Sequence, residues 1–208
     1  TGKTVEQASK TIKMILQGDD NVLTHNDPFE VPWQKCMATL GFDSSASYRY
    51  DNDKVEFCSC RLYETSGGLS FGPKPGKVLA KFGWLINPPV GVSRESLMKG
   101  VALGLQKQCN FIPPLRAVVD RVLSLTKSSK AKYLSEWSEH KLMTNKSLYE
   151  STPKILAQLG EQYGWDDYKQ RIFSNFVSSL HLGDDNVHPF SKLLYDRDTS
   201  AQQCVFAA

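Results

Sequence analysis

Long hydrophobic runs are missing from this sequence. None of its 208 residues lie in an apolar stretch of about 18 or more, so it offers no membrane-spanning helix. Cysteine is sparse. Cys36, Cys58, Cys60, Cys109 and Cys204 are odd in number and irregular in spacing, which argues against a disulfide framework and fits a reducing compartment. Cys58-Ser59-Cys60 has no second ligand pair at zinc spacing, and the four histidines are scattered, so the cysteines read as ordinary thiols. Excess charge is small, +3 at pH 7, too little to imply nucleic acid by itself. No aspartate precedes Asp19. Thr1-Gly2-Lys3-Thr4 has neither an initiator Met nor a signal-like apolar segment, and the expectation is a fragment or processed product.

What remains is ordinary globular material, 40% hydrophobic and 23% charged, which excludes a disordered tail, a collagen repeat and a coiled-coil rod. The chain reads in two halves. Ile12, Met14 and Leu16 alternate, Gly18-Asp19-Asp20-Asn21 breaks the run, and Val22-Leu23 resumes it: strand, turn, strand. Phe29, Trp33, Cys36, Met37 and Leu40 recur at helical spacing and Gly41 is a natural stop, predicting a helix over 28–40. Short strands are expected at 47–50 and 54–63, with a turn at Gly67-Gly68 and a return strand over 69–71.

After Pro88-Pro89 the pattern becomes helical. Ser93 can cap a helix reaching Cys109. Pro113 and Pro114 can open another, with Leu115, Val118, Val119, Val122 and Leu123 as its core stripe. Residues 127–132 read as a loop, and further helices are expected over 153–163 and 166–180. The prediction is an α+β fold, with domains over 1–88 and 89–208. From Gly91 to Lys132 there are eight basic residues against two acidic ones. That could be a nucleic-acid footprint, although charge alone favours a solvated helix face.

Adjacent carboxylates at a hairpin tip can bind hard cations such as Mg²⁺ through oxygen. Two such ions can clamp the attacking and leaving oxygens of a phosphoryl transfer. A lone Gly-Asp-Asp is more often a plain surface turn. Here Gly183-Asp184-Asp185-Asn186-Val187 repeats Gly18 to Val22 letter for letter. The first copy lies between strand-like runs. The second follows a helical pattern and meets Pro189, so Asp184 and Asp185 read as a helix-ending turn.

Leu16-Gln17-Gly18-Asp19-Asp20-Asn21-Val22-Leu23 resembles motif C of positive-strand RNA virus RNA-dependent RNA polymerases. The segment around Trp33 to Gly41-Phe42 resembles motif D. Val55-Glu56-Phe57-Cys58-Ser59-Cys60 resembles motif E, the primer-grip hairpin. Gly72-Pro73-Lys74-Pro75-Gly76-Lys77-Val78-Leu79 is similar to the Pro-x-Pro stretch that follows motif E in nidovirus polymerases. Three motifs in the family's order are far more specific than one.

The resemblance implies a partial antiparallel palm sheet with hairpins and a flanking helix over 1–88, and an all-helical thumb over 89–208. It implies that Asp19 and Asp20 are catalytic and bind Mg²⁺ or Mn²⁺, with Gly18 making the turn and Asn21 secondary. It implies a product-strand grip by Phe57, Cys58 and Ser59, and RNA contacts by Lys74, Lys77, Arg94, Lys99, Arg116 and Arg121. The family's motif D general acid is usually a Lys. The nearest basic residues here are Arg49 and Lys54, and Arg is a poor proton donor. Implied partners are template and product RNA, nucleoside triphosphates, the fingers and remaining palm of the same polymerase, and other viral replication proteins, in host cytoplasm at membrane-associated replication complexes. Motif A, an Asp-x4-5-Asp strand, and motif B, a Ser-Gly loop, have no counterpart in the chain, so this segment alone is expected to be inactive. The rival reading is a non-catalytic RNA-binding module built on the basic helices.

Overall fold

The computed structural model describes residues 4–25, 32–48, 55–84, 88–133, 148–184 and 188–200. Within them the fold is α+β, with eight helices and two small sheets. The chain divides into two compact units between Arg61 and Leu62. Pro88-Pro89, where the sequence changes character, instead marks the end of the strands: none follows among the described residues.

In the first unit, α1 (Val5–Thr11) is held at its start by a reciprocal cap. Thr4 Oγ1 accepts from the Gln7 amide, and Gln7 Oε1 accepts from the Thr4 amide, which satisfies two otherwise orphaned donors. The sequence reading has no helix there. Strands β1 (Ile12–Gln17) and β2 (Asp20–His25) pair antiparallel from Ile12↔His25 to Gln17↔Asp20. The hairpin is as expected, with one correction: only Gly18 and Asp19 form the loop, and Asp20 is the first residue of β2. Helix α2 (Trp33–Thr39) ends at Gly41, φ +84, the stop expected; residues 28–31 of the predicted helix lie outside the described ones. Ser47 and Tyr48 are not in a strand, and the rest of that predicted strand is likewise outside.

The single strand expected over 54–63 is two strands. β3 (Glu56–Phe57) pairs with β4 (Cys60–Thr65) as Phe57↔Cys60 and Glu56↔Arg61. Cys58 and Ser59 form the intervening turn with φ +50 and +59. Two successive left-handed residues mark a type I′ hairpin turn, normally built from Asn and Gly. Cys-Ser is not a turn signature, so the sequence reads straight through it. Cys58 and Cys60 therefore do not sit on one face of one strand.

In the second unit, β5 (Gly68–Pro73) follows the Gly67-Gly68 turn as predicted and runs into α3 (Pro75–Lys81). Ser93 caps α4 (Arg94–Cys109), its side chain accepting from the Ser96 amide. Pro113 and Pro114 open α5 (Pro113–Leu125). Then come α6 (Pro153–Tyr163), α7 (Asp167–Ser179) and α8 (Pro189–Ser200). The α5 stripe behaves as predicted: Leu115, Val118, Val119 and Val122 are buried and Leu123 packs against the core. They join Phe111, Ile112, Ile155, Leu159, Phe173 and Leu194 in one cluster. Helix α8 was not expected, because Pro189 reads as an interruption; Pro is instead well placed in a helix's first turn. α3 and α8 touch backbone to backbone: a Cβ on Gly76 would lie 2.3 Å from the Leu194 carbonyl carbon. Fully buried Asp198 on α8 accepts from the Gly76 and Lys77 amides at 2.6 and 3.1 Å and from the Tyr163 hydroxyl at 2.6 Å.

Candidate active site

The site is built by two hairpin tips of the first unit. In the β1–β2 loop, Gly18 carries φ +62 while Asp19 keeps a negative φ. Positive φ at the first central position alone is the type II′ pattern, and Gly is the residue that adopts it without steric cost. The turn leaves Asp19 at the apex and puts Asp20 opposite Gln17 in the ladder. Gln17, Gly18, Asp19, Asp20 and Asn21 are all exposed.

The β3–β4 turn comes to this tip. The Cys58 thiol donates to Gln17 Oε1 at 3.6 Å, and it also lies within hydrogen-bonding reach of Asp20. Restricted solvation raises the Cys58 pKa above the ordinary thiol range. The hydrogen bond to Asp20 and the charges of Asp20 and Asp19 push it the same way. The thiol thus stays protonated beside the carboxylates and works as a donor. The two consecutive left-handed non-glycine residues that put it there cost on the order of 1–2 kcal/mol each, and such outliers concentrate at functional positions. Gln17 is the site residue the sequence reading does not assign; its place opposite Asp20 across a two-residue loop was the available signal.

Both sides of the tip offer hard oxygen donors, which suits a divalent cation of the Mg²⁺ type. Such ions commonly take one or two protein carboxylates and complete their shell with water and substrate phosphate. Among the described residues no group of three or more His, Cys, Asp or Glu side chains gathers to hold a metal by itself.

The other predicted residues separate into distinct groups. Arg49 and Lys54 lie outside the described residues. Lys74 is 2% exposed, so its ammonium is not displayed to a primer phosphate as expected. Lys99 Nζ donates to the carbonyls of Lys127 and Ser129 at 3.0 and 2.7 Å, closing the loop after α5. Arg121 donates through Nε and Nη2 to the Leu180 carbonyl at 3.0 and 2.6 Å, at the end of α7. Arg116 bridges Glu150 and Asp120. Lys77 is half-buried and Arg94 exposed. In the second Gly-Asp-Asp copy, α7 has ended, Gly183 has φ +100, and Asp184 Oδ2 accepts from the His181 amide at 2.7 Å. Through Asp184 this is the helix-ending turn predicted; Asp185 is outside the described residues.

No family model, curated protein or solved structure matches the chain. Among the described residues no helix is long and apolar enough to cross a membrane.

Proposed function

We propose that this chain is the distal palm and thumb of a viral RNA-dependent RNA polymerase, acting in template-directed nucleotidyl transfer together with polymerase segments that carry motifs A and B. The observation that carries the reading is the meeting of the two hairpin tips: Asp19 and Asp20 at a two-residue turn, with the Cys58-Ser59 turn against them. Cys58 of the segment read as motif E and Gln17 of the segment read as motif C are 41 positions apart in sequence, yet their side chains share one site.

In this reading Asp19 and Asp20 hold the cation, which would neutralise triphosphate charge and favour attack by a sugar hydroxyl. Gly18 sets the apex and Asn21 continues β2 beside it. Cys58 donates its one hydrogen to Gln17 Oε1 beside Asp20, and Phe57 and Ser59 shape the second tip. The RNA-binding-module reading draws less support, since Lys99, Arg116 and Arg121 each have partners within the chain.

The test is RNA synthesis by a polymerase that contains this segment. Asp19→Ala should lower primer extension by about 10²–10³-fold or more, the lower figures being those seen for removing one principal electrostatic contributor. Asp184→Ala should retain most of it. The reverse pattern would place the chemistry in the Gly183 copy and overturn the assignment to Asp19.

A further inference from the structure

The second unit contains a groove of about 280 Å³ between α5 and α7 that the polymerase reading leaves unused. Its size is near the lower end of small-molecule sites, about 300 Å³, which suits a base or nucleoside and not a dinucleotide. The wall mixes apolar and polar surface. Pro113 and Ala117 offer flat apolar contact, while Arg116, Asp120, Gln170 and Ser174 supply polar atoms.

The hydrogen bonding of that wall shows what is left for a ligand. Arg116 Nη1 is bound to Glu150 Oε2 at 2.5 Å, and only a longer contact of 3.5 Å joins its Nε to Asp120 Oδ2. Asp120 therefore keeps acceptor capacity. Gln170 Oε1 accepts from Trp165 Nε1 at 2.8 Å, which fixes the amide so that its Nε2 donates to Ser174 Oγ at 2.9 Å. The Ser174 hydroxyl hydrogen is left to donate. Ser151, also in the wall, has a hydroxyl sealed from solvent with no hydrogen-bond partner among the described residues. In the wall Asp120 balances Arg116, whose guanidinium is already paired with Asp120 and with Glu150 beyond the wall, which disfavours an anion. The fitting ligand is a small, flat, uncharged molecule with paired N–H donors on one edge and an acceptor beside them.

We infer that this groove binds a guanine base, its ring N–H and exocyclic amine donating to Asp120 and its acceptor edge receiving from Ser174. A carboxylate is the complement of that donor pair, and adenine lacks it. The inference does not depend on the polymerase reading. The base could come from a free nucleoside or from an unpaired guanosine in RNA.

The test is titration of the 208-residue chain with guanosine, inosine, adenosine and agmatine, followed by calorimetry and amide NMR shifts. Guanosine should bind with shifts centred on α5 and α7, and adenosine at least about tenfold more weakly, as expected when a site's hydrogen-bond partner is missing. Inosine, without the exocyclic amine, should fall between them. Asp120→Asn should weaken guanosine about tenfold or more, and Ser174→Ala about threefold, with circular dichroism unchanged because both act at the groove wall. A tetranucleotide RNA with one guanosine identifies the source: tighter binding than the nucleoside points to RNA, weaker binding to free nucleoside, and either satisfies the proposal. No guanosine binding at about 1 mM, equal affinity for adenosine, tighter binding of agmatine, or affinity untouched by Asp120→Asn would overturn it.

Discussion

Before Tyr63 no apolar side chain among the described residues is buried, whereas the whole buried apolar cluster lies from Tyr63 onward. In the first unit Met14, Ile15 and Leu16 of β1 are 54, 51 and 63% exposed. Successive strand residues face opposite ways, so both faces of that ribbon carry bare apolar surface. A two-stranded ribbon is marginal in water without something to pack on. Its shape comes from local rules: the Gly18 turn, the ladder register and the Cys58-Ser59 turn. The second unit is held by a shared core and by buried polar clamps such as Asp198. The carboxylates thus sit where local geometry is well defined and global stability is not, and mutations in the two units should fail in different ways.

The largest difference should appear at Asp198. Asp198→Ala leaves the Gly76 and Lys77 amides and the Tyr163 hydroxyl short of their acceptor. Unmet buried polar groups of this kind should cost on the order of 3 kcal/mol, a fall in Tm of roughly 6–12 °C for a chain of this size. Thermal unfolding checks this. An unchanged Tm would mean that the clamp contributes nothing to the second unit.

A smaller effect should appear at His188, also in the second unit. Its ring contacts Phe173, Phe176 and Phe190, and Nδ1 accepts from the Phe190 amide at 3.1 Å. Burial lowers its pKa below the ordinary histidine value. The fold therefore favours neutral imidazole. The stability this gives is complete above the unfolded pKa, about 6.5, and is lost as pH falls through the lower folded value. Melting curves between about pH 7 and pH 5 should show a decline that His188→Asn reduces, since Asn keeps an acceptor at the helix start without titrating. An equal decline in the variant would place the acid sensitivity elsewhere.

The smallest effect concerns the first unit's thiol. Cys58 should be alkylated by iodoacetamide only slowly near pH 8, because its raised pKa leaves little of it as thiolate. Asp20→Asn removes the carboxylate charge that helps raise the Cys58 pKa and leaves only a neutral acceptor for the thiol, and should speed the reaction by roughly two- to fivefold. Mass spectrometry of the Cys58 peptide across pH reads this directly. A pH profile identical in both proteins would separate the thiol from the carboxylate.

The same contrast explains what could be read in advance. Helices α4, α5, α6 and α7 follow from caps, prolines and apolar stripes, because their burial is periodic. The β1–β2 hairpin follows from alternation around Gly18. The Cys58-Ser59 turn does not, since neither residue favours left-handed backbone and the conformation is set by what surrounds it. Helix α8 was hidden because Pro189 stops one helix and starts another with equal ease. Lys74, Lys99 and Arg121 illustrate a different limit. Sequence gives their charge but not that Lys74 is buried, or that the carbonyls of Lys127, Ser129 and Leu180 accept from the other two. The hairpin that carries the Asp pair was legible, while the choice of that pair over the identical Gly183 copy rested on flanking pattern alone.

The most direct test of the carboxylate site is Mn²⁺ titration of the ¹⁵N-labelled chain, read by paramagnetic broadening of its amides. The account predicts that Gly18 to Asn21 and Ser59 broaden first, that Asp19→Asn removes the effect, and that Leu182 to Asp184 stay sharp. Broadening centred on Leu182 to Asp184, or surviving Asp19→Asn unchanged, would contradict it.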